Sequence, residues 1–337
     1  MKKFQTGRQS FVFDEAPVIA GWANVAGKKE SEGPLTHTFD TTISDPYFGE
    51  KTWEQAESKM QLIALENLKI KTGISNDDIG IIFSGDLLNQ CVGSSFSLRN
   101  LKIPHIGLYG ACSTMAESLL TAAITVCGGF TDNAVAITSS HFASSERQYR
   151  FPLGYGGQRT PTAQWTVTGC GAALLKSQGS GPRIVAGTIG SVAEMGIVDA
   201  NNMGAAMAPA AFQTIRAHFK DMDMSADNYD LIVTGDLGQH GKEMLLTLAG
   251  TEGIYLGNKL VDCGTILFDR EKQDVHSGGS GCGCSAIVLC GYLLDRINKG
   301  ELKRVLFCGT GALLSPTSVQ QGLPICSICH AVSIYGG

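Results

Sequence analysis

The chain has 337 residues, a formal net charge of -5, 43% hydrophobic residues and only 17% charged ones. That balance builds a sizeable core and excludes a disordered, charge-dominated chain. With no basic run longer than pairs such as Lys28-Lys29, it also argues against a nucleic-acid binder that works by neutralising phosphates. Glycine accounts for 42 residues, well above its ordinary share and without a collagen-like period, so tight turns and close backbone approaches are expected.

The first residues, Met1-Lys2-Lys3-Phe4, lack the apolar stretch of a signal peptide, and no window of the sequence is apolar enough to span a bilayer. Most of the 11 cysteines, including Cys127, Cys170, Cys290 and Cys308, sit inside apolar runs. They read as buried, reduced thiols, which implies a soluble chain in a reducing compartment.

Along the chain, a long loop over 31–55 precedes a helix from about Thr52 to Thr72, whose stripe of Trp53, Ala56, Met60, Ile63 and Ala64 reads as a core face. Residues 79–87, IGIIFSGDL, read as a buried strand stopped by Gly-Asp. A short strand, Ile106–Leu108, leads through Gly110-Ala111-Cys112-Ser113 into a helix ending near Cys127, and a strand over Ala134–Thr138 follows. A second long loop spans 141–165. Loops of that length in a compact domain are usually functional.

The order then recurs. Residues 229–237, YDLIVTGDL, repeat the first Gly-Asp strand 150 positions later. Gly283-Cys284-Ser285-Ala286 opens a helix running to about Lys299, and Arg304–Cys308 reads as its following strand. A doubled strand–loop–helix–strand unit implies parallel-type sheets covered on both faces. The halves, 1–180 and 181–337, divide at the linker Ser177-Gln178-Gly179-Ser180-Gly181-Pro182.

Cys112 stands between a strand and a helix start. Free N–H groups and the helix dipole there are expected to favour the thiolate and lower its pKa. The Gly110-Ala111-Cys112-Ser113 turn, the doubled half and the late Gly309-Thr310-Gly311-Ala312-Leu313 loop resemble the thiolase-like superfamily, which includes the ketoacyl synthases. The resemblance implies an α/β fold of two pseudo-repeated halves in an α/β/α/β/α sandwich. Longer strings are similar to the stage V sporulation protein AD family: Ser84-Gly85-Asp86-Leu87-Leu88-Asn89-Gln90, Thr138-Ser139-Ser140-His141, Met203-Gly204-Ala205-Ala206-Met207-Ala208-Pro209-Ala210 and Gly278-Gly279-Ser280-Gly281-Cys282.

This closer resemblance implies binding of dipicolinic acid (pyridine-2,6-dicarboxylate), free or as its calcium chelate, during uptake into the developing spore. It further implies membrane-embedded SpoVA transport partners and peripheral association with the inner spore membrane. The superfamily also suggests a homodimer. The superfamily's catalytic His falls where Val233-Thr234-Gly235-Asp236-Leu237 places glycine, and Gly281-Cys282-Gly283-Cys284-Ser285 replaces the synthase Asn turn. A non-catalytic protein is therefore expected, with no cofactor and no metal. His240 lies close enough in sequence to substitute for the missing base, and an acyl transferase using Cys112 as nucleophile is the alternative. A structural member of the transport assembly is a third reading.

A flat dianion needs charged donors and an apolar wall. The candidate ligand residues are Cys112, Asp86, His141, Arg147, Tyr149 and Arg150, with Phe151, Tyr155 and the glycines 154, 156 and 157 beside them. Arg147→Ala is expected to weaken binding if Arg147 supplies a charged hydrogen bond. Asp86 is a candidate to orient a donor beside Cys112, whereas Asp236 reads as a turn residue. Cys326-Ser327-Ile328-Cys329-His330 matches a haem-attachment string and half a zinc site, but reads as part of a final strand over 325–334.

Overall fold

The structure is a computed structural model that describes residues 4–149 and 160–337. Ten strands form the body of the sheet. The first half contributes β1 (Val18–Gly27), β2 (Ile81–Gly85), β3 (His105–Leu108), β4 (Asn133–Ser140) and β5 (Gly169–Lys176). The second contributes β6 (Arg183–Thr188), β7 (Leu231–Thr234), β8 (Leu260–Asp262), β9 (Arg304–Ala312) and β10 (Ser327–Tyr335). Their spatial order is β1-β5-β4-β2-β3 in one half and β6-β10-β9-β7-β8 in the other, the same topology twice. The halves meet edge to edge through an antiparallel bridge, Arg183 to Val18, and through the short strand Ser10–Val12, which pairs antiparallel with β6.

Among these ten strands, parallel pairing is confined to those around β2 and β7. The pairs β1–β5, β4–β5, β9–β10 and β6–β10 are antiparallel, so each sheet is mixed rather than parallel throughout. The antiparallel strands escape a search for crossover units because they need no helix between them. In β5 nearly every residue is buried, so no alternation announces it either.

Seven helices position the site: α1 (Trp53–Thr72), α2 (Val92–Leu98), α3 (Thr114–Cys127), α4 (Phe142–Tyr149), α5 (Met203–Met222), α6 (Gly238–Thr251) and α7 (Cys282–Val288). The Thr52 hydroxyl accepts from Gln55 N–H to open α1, and Gly73 in the left-handed region closes it. The buried stripe of α1 (Ala56, Met60, Ala64, Leu68) packs on Ile82, Val135 and Leu174 of the first half. On the opposite face of the molecule, α5 and α6 place Met207, Ala211 and Leu245 on Ile232, Leu306 and Ala331. Between the sheets lie α3 and α7, whose Met115, Leu119, Ala286 and Ile287 share one core with Ala136, Ala173, Val233 and Phe307. These five layers are α/β/α/β/α. The helix expected to run on to Lys299 instead loosens into a π turn at Leu289–Leu293 before Leu294–Asn298.

Two sequence features resolve locally. The 141–165 loop contains α4. Cys329 and His330 lie consecutively on β10 and so face opposite sides of the sheet. His330 Nδ1 accepts from Gly190 N–H, while Cys329 is buried beside Cys308.

Candidate functional site

The C-terminal ends of β2, β3 and β4 open onto one edge of the first half, where sheets of this kind place ligands. Cys112 sits there in a one-turn 3-10 segment, Ala111–Ser113, ahead of α3. Ala111 has φ +51°, a conformation that costs a non-glycine residue energy. The turn is held by Ser113 Oγ to Gly110 O at 2.6 Å and Thr114 Oγ1 to Ala111 O at 2.6 Å. Gly311 presses against it so closely that a Cβ there would stand 2.7 Å from Gly110 O.

A cavity of about 50 Å³ opens at the thiol. Its polar lining is Cys112, Ser145, Glu146, Thr166 and Ser280, and its apolar lining includes Leu87, Tyr149, Met203 and Leu314. The thiol is only 6% exposed and packs with Leu87, Cys282 and Tyr149. Burial, and then the neighbouring Asp236 carboxylate, push the Cys112 thiol well above its ordinary range. The expected fall in pKa is therefore reversed. Desolvation and a facing negative charge outweigh the N–H groups of a single turn.

Asp236 is the residue that sequence reasoning misassigned. It is fully buried and faces the Cys112 thiol. Its carboxyl accepts from Gly281 N–H (2.8 Å), Thr310 Oγ1 (2.9 Å) and Ser280 Oγ (3.1 Å). Asp86, its counterpart in the repeat, has a different task. It accepts from Leu88 N–H (2.9 Å) and from both the N–H and hydroxyl of Ser94 (2.7 Å each). It thereby pins the loop before α2 and does not line the cavity. His240 turns its Nδ1 to Ser277 Oγ.

The remaining candidates separate on α4. Ser145, Glu146 and Tyr149 line the cavity; Tyr149 neighbours Ser145 at i, i+4 and Glu146 at i, i+3 on the helix surface. Arg147, two residues from Ser145, falls on the other face, where it pairs with Glu54 and lies 5.4 Å from the centre of the Trp53 ring. His141 is buried at the start of the helix. Its Nε2 lies 2.8 Å from Pro46 O and its Nδ1 accepts from Ala143 N–H. Nε2 therefore carries the proton, and burial lowers the pKa to about 4. An NMR titration should accordingly find the His141 ring neutral at pH 5.5, whereas an exposed imidazole would be largely protonated. Arg150, Phe151, Tyr155 and the glycines 154, 156 and 157 lie outside the described residues.

Tyr149 donates its hydroxyl to Leu87 O at 2.5 Å and meets Tyr109 Oη at 2.5 Å. Ser145 Oγ is buried against the cavity and has no hydrogen-bond partner among the described residues. Sequence reasoning missed it. The available signal was its i, i+4 relation to Tyr149.

The chain matches the family model for Stage V sporulation protein AD (SpoVAD) over residues 7–335. It is 42% identical over 327 residues to the Stage V sporulation protein AD of Bacillus subtilis (strain 168), covering 97% of this chain and 96% of that protein. Among solved structures, it is similar to Xanthomonas campestris OleA (TM-score 0.59, 15% identity, 96% of this chain and 99% of that one). It is also similar to the 3-oxoacyl-[acyl-carrier-protein] synthase III of Aquifex aeolicus VF5 (TM-score 0.58, 13% identity, 95% and 100%). The chain thus has the thiolase-like fold and belongs to the stage V sporulation protein AD family of sporulation proteins.

Proposed function

We propose that this chain is a non-catalytic binding protein for dipicolinic acid. It acts in the uptake of that acid into the developing spore, alongside membrane-embedded transport proteins at the inner spore membrane. No described helix is long and apolar enough to cross a membrane, so attachment in this reading runs through partners.

One observation carries the loss of catalysis. The group facing Cys112 is a buried carboxylate rather than an imidazole, and it raises the thiol pKa instead of accepting its proton productively. A nucleophilic thiol needs a base or a lowered pKa.

The binding reading is supported by the Ser145 hydroxyl, which has no partner among the described residues and could donate to a ligand carboxylate, and by the apolar wall of Leu87 and Tyr149. The family membership points the same way. Arg147, already paired on the outer face, is not needed for this contact.

Calorimetry with dipicolinate should give a saturable isotherm, and intact-mass analysis after exposure to an acyl-CoA should show no adduct on Cys112. Ser145→Ala should weaken binding about tenfold or more, the loss of a hydrogen bond to a charged group. No heat with dipicolinate, together with acylation of Cys112, would replace this reading with an acyl transferase.

A further inference from the structure

We infer that Glu57 is a positioning residue for the cavity. A proton held on its buried carboxyl keeps the start of α4 docked against the Asp86 loop and so fixes Ser145 and Tyr149 in the wall. The inference deepens the binding reading, but its structural part stands without it.

Glu57 and Asp86 are both fully buried, and they flank the bare Cα of Gly93. A Cβ on Gly93 would lie 3.1 Å from Asp86 Cγ and 3.3 Å from Glu57 Cγ. A chain of polar groups connects the two carboxyls. Ser94 gives its hydroxyl proton to Asp86 and accepts from Gln61 Nε2 at 3.1 Å. The same amide donates to Ser139 Oγ at 2.8 Å, and Ser139 donates to Glu57 Oε1 at 3.0 Å.

The second oxygen of Glu57 lies 2.8 Å from Ser144 Oγ, which also lies 3.2 Å from His141 O. Ser144 has one hydroxyl proton for these two acceptors. With a neutral Glu57, Oε2–H donates to Ser144 Oγ, Ser144 donates to His141 O, and every proton has a place. Burial raises the pKa of Asp86 as well, but its two N–H···O bonds and one O–H···O bond favour the ionised form and make it the member suited to carry the charge.

Among the described residues no cation touches either carboxyl. Glu54, one turn earlier on α1, is paired with Arg147. His141 is neutral, and the Cys91, Cys170 and Cys282 thiols are pushed up by burial. Burial and the nearby Asp86 charge raise the pKa of Glu57 to about 8.

The carboxyl cluster grips both sides of the wall. Ser144 precedes Ser145. Asp86 precedes Leu87, whose carbonyl accepts from Tyr149 Oη and Gln148 Nε2, and Asn89 N–H donates to Gln148 Oε1. Ionising Glu57 places two carboxylates around Gly93 and takes the Ser144 proton away from His141 O. The favoured response is to release α4.

Hydrogen exchange over residues 142–149 of the ligand-free protein, corrected for intrinsic rates, tests this from pH 6.5 to 9.5. Protection in the wild type should fall as pH rises from 6.5, approaching tenfold per unit for the one proton that the docked state holds and the released state has lost, and should level off above about pH 8, where Glu57 is ionised in both states. Glu57→Gln should hold level throughout. Asp86→Asn, which removes the charge that raises Glu57, should end the fall and begin the level part at lower pH, and it serves as a second test should Glu57→Gln fail to fold. A level wild-type profile, or an unmoved fall in the variants, overturns the inference. Dipicolinate affinity should follow the same profile. Absence of dipicolinate binding at every pH, with the exchange pattern intact, would defeat the ligand assignment and leave the positioning role standing.

Discussion

Replacing Asp236 by alanine should cost about 3–5 kcal/mol, because it leaves several buried donors without an acceptor at once. The carboxyl collects Gly281 N–H, Ser280 Oγ and Thr310 Oγ1, and it also meets the Cys112 thiol. The hydroxyls can rotate to find substitutes, but the amide cannot. Asp236→Asn keeps the volume and one acceptor oxygen, and should cost about 1 kcal/mol, one net hydrogen bond. Urea unfolding of the two variants measures the difference. A loss near zero for the alanine variant would mean that the cluster is not formed in solution.

The same pair reports on the thiol. Asp236 raises the Cys112 pKa, so Asp236→Asn should lower it and increase the thiolate fraction at pH 8. Iodoacetamide should then modify Cys112 faster in the variant than in the wild type. In the wild type, the half-buried Cys127 and Cys326 should react first. A fully reactive Cys112 in the unaltered protein would contradict its assignment as a protonated thiol.

The second large effect lies at the seam between the halves. A Cβ on Gly283 would meet Gly169 O at 2.5 Å, Ser140 Oγ at 2.6 Å and Ser140 N at 2.8 Å. Two of these are backbone atoms of β5 and β4, so no side-chain rotation relieves the clash. Gly171 faces α7 in the same way, 2.5 Å from Ala286 O. Gly283→Ala should therefore cost about 3 kcal/mol, at the upper end for overpacking, and should disturb the cavity edge formed by Ser280. Gly250→Ala is the control. It lies exposed on α6 with nothing near its Cβ position and should stabilise by roughly 0.5–1 kcal/mol. Denaturant midpoints of the two variants should move in opposite directions.

The abundance of glycine was legible in the composition, and its purpose at positions 171 and 283 is to let α7 lie directly on β4 and β5. The doubled order was legible too, because a buried parallel strand stopped by Gly-Asp leaves a compact pattern at 79–87 and again at 229–237. The antiparallel strands β1, β5, β6 and β10 complete each half, and only the final strand stood out in the sequence. Arg147 reads as a ligand donor in one dimension because it is a basic residue beside Tyr149. Helical geometry turns it toward Glu54 instead.

Local chemistry settled what neighbouring residues settle: the turn that presents Cys112, the helices that follow it, and the absence of an imidazole directly after β7. Tertiary packing decided which of the two Gly-Asp carboxyls meets the sulfur. Asp86 and Asp236 have the same local sequence, but only Asp236 lies where α7, β9 and the Cys112 turn converge. Packing also reversed the expected acidity of the thiol. The free N–H groups of a turn act on a thiolate wherever that turn forms, while the cost of desolvation and the proximity of a distant carboxylate exist only once the two halves have closed over it.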